Sequence, residues 1–115
     1  KNNGSGGSIV LLSSVAARIG SPGLCVSYAA SKGAVDSFAW GAAQEVVGEG
    51  VRINAVSPGI IDTEIQPKGR VEKAGPSLPI GRVGQPEEVA RAIVWLLSDD
   101  ASYVAGSNLD VAAGR

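Results

Sequence analysis

Three short apolar runs alternate with longer stretches of helical periodicity along this chain. The runs lie at 8–13 (SIVLLS), 51–57 (VRINAVS) and 107–111 (SNLDV). A short, continuously apolar run bounded by glycine or small polar residues is typical of a strand that is buried on both faces. Strands that alternate with helices form parallel sheets with right-handed crossovers. The pattern therefore predicts an α/β fold with the element order β-α-β-loop-α-β.

Two helices are predicted between these strands. The first covers 28–48, and its apolar residues recur at helical spacing at Val35, Phe38, Ala39, Ala42 and Val46. The second begins at Pro86, where the missing N–H of proline costs nothing, and its predicted buried residues are Val89, Ile93, Leu96 and Leu97. A row of small residues on the first helix, Gly33, Ser37 and Gly41, is either a solvated face or a contact with another helix.

The connection between the second strand and the second helix is long and irregular. Residues 57–85 hold four prolines and five glycines. A long irregular connection in a compact domain is usually a functional segment. We therefore predict a functional flap within residues 57–85.

The first predicted strand needs a neighbour that the sequence does not contain. An exposed edge made of residues 9–12 (IVLL) would be an aggregation hazard. The chain also begins at Lys1, with a loop-like segment before the first strand. We therefore expect residues 1–115 to form one partial domain whose N-terminal half is missing.

Composition excludes several classes of function. The chain has no histidine, which excludes Ser-His-Asp and Cys-His hydrolases, and its single cysteine and scattered carboxylates make poor zinc ligands, so no metal site is predicted. The net charge is −1 without a basic cluster, and no apolar run reaches membrane-spanning length, so neither nucleic acid nor a membrane is an expected partner. The lone Cys25, interpreted as a small half-buried side chain, is consistent with a reducing cytoplasm.

Tyr28 and Lys32 form the most informative pair, in the segment SYAASK at 27–32. Residues four apart on a helix are neighbours. An ammonium group beside a phenol favours the phenolate, which makes the tyrosine a usable proton donor and acceptor near neutral pH. This pair offers acid–base chemistry to a chain that has no histidine.

Other polar groups are predicted at the same edge of the sheet. Ser13 and Ser14 end the first strand, Pro58 and Gly59 follow the second, and Thr63 comes shortly after. Ligands of open α/β sheets bind at the carboxyl ends of the strands. A hydroxyl, a phenol and an ammonium group are thus expected to converge on one rim.

Four blocks in order, SIVLLSS, YAASKGAV, RINAVSPGIIDTE and GRVGQPEEVARAIVWLLSDDASYVAGSNLDV, resemble the C-terminal half of a short-chain dehydrogenase/reductase. The resemblance covers nearly the whole chain after Gly6. It implies the catalytic half of a Rossmann-type doubly wound parallel sheet. It also implies an oxidoreductase that uses NAD or NADP to interconvert an alcohol and a ketone.

The resemblance assigns roles to individual residues. Tyr28 matches the catalytic acid/base, Lys32 the residue that promotes its ionisation and binds the nicotinamide ribose, and Ser14 the hydroxyl that orients the substrate oxygen. Ser13 is the alternative to Ser14. The turn that holds the nicotinamide is matched by Pro58, Gly59, Ile61 and Thr63. The variable substrate-binding region is matched by the flap at about 62–80. A homo-dimer or homo-tetramer through helix 28–48 and the C-terminal strand/helix is also implied.

The sequence departs from the family pattern in three places. The gap between Ser14 and Tyr28 is one residue longer than is common, and Ala112 and Ala113 stand where an Asp-Gly pair is frequent. No glycine-rich G-x-x-x-G-x-G turn for the dinucleotide phosphates occurs. An inactive truncated chain, or a subunit-interaction piece, is therefore the alternative hypothesis. An epimerase or dehydratase is disfavoured because the sequence stops directly after the last strand.

Overall fold

The structure, a computed structural model, describes residues 6–20, 22–23, 25–62 and 74–114. The strands and helices in this part are β1 (Gly7–Leu12), α1 (Ala16–Ile19), α2 (Val26–Val46), β2 (Val51–Pro58), α3 (Pro86–Leu97) and β3 (Asn108–Val111). Short 3₁₀ turns occupy Val47–Glu49, Gly75–Ser77 and Asp99–Ala101. The predicted order of strands and long helices is confirmed. The sequence does not predict α1, because four residues are too few to show helical periodicity.

Within the described residues, the strands form one parallel sheet in the order β1-β2-β3. Ile9 lies opposite Ile53 in the first pair of strands, and Ser57 lies opposite Asp110 in the second. The predicted α/β fold with a parallel sheet is therefore confirmed. Because all three strands run the same way, their carboxyl ends meet at one edge, where the candidate site lies.

A helix covers each face of the sheet. Ile53 and Ala55 on β2 form one buried cluster with Ala39 and Ala43 of α2. Val56 points the other way, since successive strand residues alternate, and it joins a second cluster with Val89 and Leu96 of α3. Helices on both faces of a parallel sheet are the doubly wound arrangement that the resemblance implies.

Two predicted core residues lie on the surface instead. Phe38 is 62% exposed and Leu97 is 44% exposed, so their assignment to buried stripes is wrong. The face of α2 that meets the sheet is centred on Ala39 and Ala43, each 2% exposed, whose small side chains allow a close approach. Phe38 precedes Ala39 by about 100° around the helix, which turns its ring away from β2.

Arg52 on β2 anchors the C-terminus of α3. Its guanidinium donates hydrogen bonds to the carbonyl oxygens of Leu96 and Ser98, both at 3.0 Å, and of Val104 at 3.2 Å. A cation at this end of a helix meets the unpaired carbonyls and the negative end of the helix dipole. Next to it, the fully buried Asn54 donates to the Val104 carbonyl at 3.0 Å and accepts from the Ser107 N–H at 3.0 Å. These bonds fix the segment that leads into β3.

Several apolar side chains remain exposed. Ile9 and Leu12 on β1 are 47% and 53% exposed, and within the described residues β1 pairs with β2 alone. The expectation that a further strand lies beside β1 stays a prediction. No helix in the described part of the chain is long and apolar enough to cross a membrane.

Candidate active site

Tyr28 and Lys32 lie near the N-terminus of α2, one helical turn apart. The helix begins at Val26, and its N-cap is Cys25. The Lys32 Nζ atom lies 5.7 Å from the centroid of the Tyr28 ring, within the range of a cation–π contact. The Tyr28 side chain is 46% exposed, so its ring is open to a bound molecule. The predicted proximity of the two groups is therefore present in the fold.

Two hydrogen bonds tie this part of α2 to the carboxyl end of β1. Lys32 Nζ donates to the carbonyl oxygen of Leu12 at 3.1 Å. The Ser13 hydroxyl donates to the carbonyl oxygen of Lys32 at 3.2 Å. The ammonium group thus lies at the strand end, in contact with the last residue of β1.

The two candidate serines have different environments. Ser13 is 3% exposed, and its hydroxyl already donates a hydrogen bond to the carbonyl oxygen of Lys32. Ser14 is half-buried, and its Oγ accepts a hydrogen bond from the Ala16 N–H at 3.1 Å. A hydroxyl that accepts in this way keeps its own proton available for another acceptor. This difference favours Ser14 over Ser13 as the hydroxyl that a substrate oxygen would meet.

The turn after β2 lies beside Ser14. The Val15 N–H donates to the Pro58 carbonyl at 3.2 Å, and the Gly59 N–H donates to the Val111 carbonyl at 3.0 Å. A Cβ atom at Gly59 would lie 3.0 Å from both Cα and Cβ of Ala112. A side chain at this position would therefore require the end of β3 to shift by a few tenths of an ångström.

The remaining predicted cofactor residues are placed less directly. Ile61 forms a parallel bridge with Gly84, and its side chain packs against the core cluster of Val56. Thr63 lies outside the described residues, as does most of the predicted flap at 62–80.

A small pocket lies between the turn after β2 and the end of β3. Its volume is about 200 Å³, and its lining is mainly apolar, with Ile60, Leu78 and Val111 among the contributing residues. Arg82 and Glu88 also line it, and they form an ion pair with N–O distances of 2.8 and 3.0 Å. The hydrogen bonds from Arg82 and from the Gln85 N–H lower the pKa of Glu88 to about 2, and the same pair raises the pKa of Arg82.

Cys25 differs from its predicted half-buried state. It is exposed, and a hydrogen bond with Ser27 and another with the Tyr28 backbone lower the pKa of its thiol. The exposure follows from its position at the N-cap of α2, outside both core clusters.

Sequence reasoning also missed an ion pair between Arg18 on α1 and Asp110 on β3. The two residues are 92 positions apart, and no local pattern connects them. Only the folded chain brings them together at the edge that holds Ser14 and Pro58.

Comparison with known proteins places this arrangement in a family. A family model described as Enoyl-(Acyl carrier protein) reductase matches residues 1–115. The chain is 56% identical over 119 residues to the uncharacterized oxidoreductase YgfF of Escherichia coli (strain K12), covering 100% of this chain and 48% of that protein. It is 44% identical over 111 residues to the 3-oxoacyl-[acyl-carrier-protein] reductase FabG of Thermotoga maritima, covering 94% of this chain and 45% of that protein. The chain thus spans about half the length of these relatives.

A solved structure agrees with the sequence relatives. A crystal structure assigned to the betaketoacyl-ACP reductases superposes with a TM-score of 0.81 at 39% identity, covering 93% of this chain and 46% of the other. The match is consistent with the predicted partial Rossmann-type fold. The resemblance seen in the four sequence blocks is therefore confirmed: the chain belongs to the short-chain dehydrogenase/reductase family, whose relatives named above are oxidoreductases.

Proposed function

We propose that this chain carries the acid–base residues of an NAD(P)-dependent oxidoreductase that interconverts an alcohol and a carbonyl compound. The observation that supports this most directly is the position of Lys32, which contacts both the Tyr28 ring and the Leu12 carbonyl. A cation anchored to a strand end beside a half-exposed phenol is suited to stabilising the phenolate. That stabilisation allows the tyrosine to give and take back a proton.

The chain's own residues account for the proton and the substrate oxygen. In the reductive direction, the Tyr28 hydroxyl donates its proton to the carbonyl oxygen as that oxygen becomes an alcohol. The Ser14 hydroxyl donates a hydrogen bond to the same oxygen, since the bond that it accepts from the Ala16 N–H leaves its own proton available. Lys32 stabilises the phenolate that Tyr28 leaves behind. In the oxidative direction, each proton transfer runs backwards.

The residues fit a nicotinamide ribose. An ammonium group has three donors, and the Leu12 carbonyl takes one of those of Lys32, which leaves others for ribose hydroxyls. The turn with Pro58, Gly59 and Ile61, followed by Thr63, would hold the nicotinamide end. Bound NAD(P)H supplies the hydride for the carbonyl carbon. Either NAD or NADP is compatible with these residues.

The choice of test substrate follows from the relatives. FabG of Thermotoga maritima is named as a 3-oxoacyl-[acyl-carrier-protein] reductase. A 3-oxoacyl thioester is therefore the first carbonyl compound to assay.

The proposal is tested by removing the phenolic hydroxyl of Tyr28. Tyr28→Phe should lower NAD(P)H-dependent carbonyl reduction by about 10²-fold or more, because general acid–base catalysis contributes about 10²–10⁴-fold. Tyr103→Phe is the matched control, since Tyr103 is fully exposed and remote in sequence from the proposed site. A Tyr28→Phe protein with the turnover of the Tyr103→Phe control would refute the proposal.

A subunit-interaction piece without turnover is the second candidate function. It is favoured by the row of small residues on α2, where a Cβ added at Gly33 or Gly41 meets no atom within 4 Å. Isothermal titration of the 115-residue chain with NADH and NADPH separates the two candidates. Binding at micromolar affinity would exclude a piece that serves only in subunit contacts. Without binding, carbonyl reduction by a longer protein that carries a glycine-rich phosphate turn would support the enzyme, and no reduction by that protein would support the interaction piece.

The proposed protein is a cytoplasmic homo-dimer or homo-tetramer that contacts its partner through α2 and through α3 and β3. A Cβ added at Gly33 or Gly41 meets no atom within 4 Å, so the row of small residues through Ser37 leaves room for a partner helix. The exposed ring of Phe38 lies next to this row. A reducing compartment suits the exposed thiol of Cys25.

A further inference from the structure

We propose that Arg18 and Asp110 are a positioning pair that holds α1, and through it the Ser14 hydroxyl, in place at the active-site edge. The inference rests on the proposed oxidoreductase function for its effect on turnover. Its structural part concerns the ion pair between the Arg18 guanidinium and the Asp110 carboxylate, which joins α1 to β3.

Ser14 lies at the start of a short connection that crosses the carboxyl edge of the sheet. The Ser13 N–H donates to the Val56 carbonyl at 2.8 Å, and the Val15 N–H donates to the Pro58 carbonyl at 3.2 Å. These two bonds tie the backbone on either side of Ser14 to β2. The Ser14 side chain is fixed differently, by the hydrogen bond that its Oγ accepts from Ala16.

The orientation of the Ser14 hydroxyl therefore depends on α1, because Ala16 is the first residue of that helix. A helix of four residues is not stable by itself and is held in place by its surroundings. Its N-terminal side is held by the buried Val15, which is 4% exposed. At its C-terminal side, the ion pair of Arg18 reaches β3.

Asp110 is well placed to receive Arg18. It lies opposite Ser57 on β2, one position before the pair of Pro58 and Val111. The segment that follows β1 is therefore held to β2 by backbone hydrogen bonds and to β3 by the ion pair of Arg18 and Asp110. Both side chains of the ion pair remain partly exposed, at 48% and 40%. Such a pair contributes little to global stability, so its loss is expected to act locally.

The first measurement follows the Ala16 amide, whose proton makes the hydrogen bond to Ser14. Amide hydrogen exchange in the purified full-length protein should become at least about fivefold faster at 16–20 in Arg18→Glu and in Asp110→Arg. The double variant R18E/D110R restores an ion pair and should regain slow exchange. Arg91→Glu, a charge reversal of an exposed arginine on α3, is the control and should leave these amides unchanged. Arg18→Gln replaces Arg18→Glu if the reversal prevents folding.

The second measurement asks whether Arg18 acts through Ser14. Arg18→Glu should lower kcat for carbonyl reduction by about tenfold, since small misplacements of catalytic groups are costly, with the KM for the dinucleotide unchanged. In a Ser14→Ala protein, the same Arg18→Glu change should lower kcat by less than twofold. The charge-swapped double variant should recover kcat together with slow exchange.

The outcomes separate this proposal from the proposed function. Unchanged exchange at 16–20 in both single variants would overturn the positioning pair, whether or not the protein turns over. A full tenfold effect of Arg18→Glu in the Ser14→Ala protein would overturn it as well. If the unaltered protein shows no turnover, the proposed function fails, and the exchange measurement with its charge swap alone decides the positioning pair.

Discussion

The ammonium group of Lys32 lies 5.7 Å from the centroid of the Tyr28 ring, at the first turns of the longest described helix. The same ammonium donates to the Leu12 carbonyl, so β1 determines where the cation stands relative to the phenol. The pair is therefore built by two elements, one helix and one strand end.

The first prediction concerns this cation. Lys32→Leu should lower kcat for carbonyl reduction by about 10²-fold, because the phenolate loses its stabilising charge. It should also weaken dinucleotide binding, measured by isothermal titration. Lys32→Arg keeps the charge and should be the less damaged of the two variants. Equal rates for Lys32→Leu and the unaltered protein would contradict the assignment.

The second prediction concerns the close approach at Gly59. Gly59→Ala places a Cβ atom 3.0 Å from two carbon atoms of Ala112 and should lower the free energy of unfolding by about 1–3 kcal/mol, as overpacking does. Gly48→Ala is the matched control, because a Cβ there meets nothing within 4 Å, and its effect should stay within about 0.5 kcal/mol. Urea denaturation measures both. Equal stability of the two variants would show that the turn moves away from β3 at no cost.

The third prediction concerns the anchor of α3. Arg52→Met removes three hydrogen bonds to the carbonyls of Leu96, Ser98 and Val104, and should lower the free energy of unfolding by about 2–3 kcal/mol. Arg52→Lys keeps the charge but loses the planar fork, so its loss should be smaller. Arg91→Met, at an exposed arginine on α3, should change stability by less than about 0.5 kcal/mol. A loss for Arg52→Met no larger than that of Arg91→Met would contradict this role.

The fourth prediction concerns pH. Hydrogen bonds from Arg82 and the Gln85 N–H lower the pKa of Glu88 from 4.5 to about 2 in the folded protein. The resulting stabilisation is fully present above the unfolded value of 4.5 and is lost as the pH falls toward 2. The difference in Tm between the unaltered protein and Glu88→Gln should therefore shrink between about pH 5 and pH 2. Arg82→Gln removes the main cause and should weaken this pH dependence.

A Tm difference between the unaltered protein and Glu88→Gln that stays constant over this pH range would contradict the low pKa of Glu88. Differential scanning calorimetry at constant ionic strength is the appropriate measurement, because salt screens an exposed ion pair.

The fifth prediction concerns assembly. If a partner helix packs on the small residues of α2, Ser37→Trp should shift the protein from a dimer or tetramer to a lower mass in light scattering. Ser102→Trp adds the same bulk at an exposed turn outside α2 and should leave the mass unchanged. An unchanged mass for Ser37→Trp would exclude this face as the contact.

Much of the fold follows from local sequence patterns. The apolar runs predict β1, β2 and β3 to within one residue at every end, and the first long helix differs from its predicted range by two residues at each end. The exposed ring of Phe38 shows the limit of such patterns. Helical spacing marks Phe38 as a core residue, but the sheet approaches α2 along Ala39 and Ala43 instead. Periodicity gives the width of an apolar face, whereas the neighbouring element decides which side is covered.

The sequence by itself determined the parallel order of elements and the spacing of Tyr28 and Lys32. Both follow from short-range rules, namely apolar periodicity and the 3.6 residues of a helical turn. Only the tertiary structure decided that Lys32 donates to the Leu12 carbonyl and that Arg18 forms an ion pair with Asp110. It also decided that the Ser13 hydroxyl donates to the Lys32 carbonyl, whereas the Ser14 hydroxyl accepts a hydrogen bond and has its own proton available. The contacts of Lys32, Ser13 and Arg18 join residues 19 to 92 positions apart. They arise where strand ends and helices meet at one edge of the sheet.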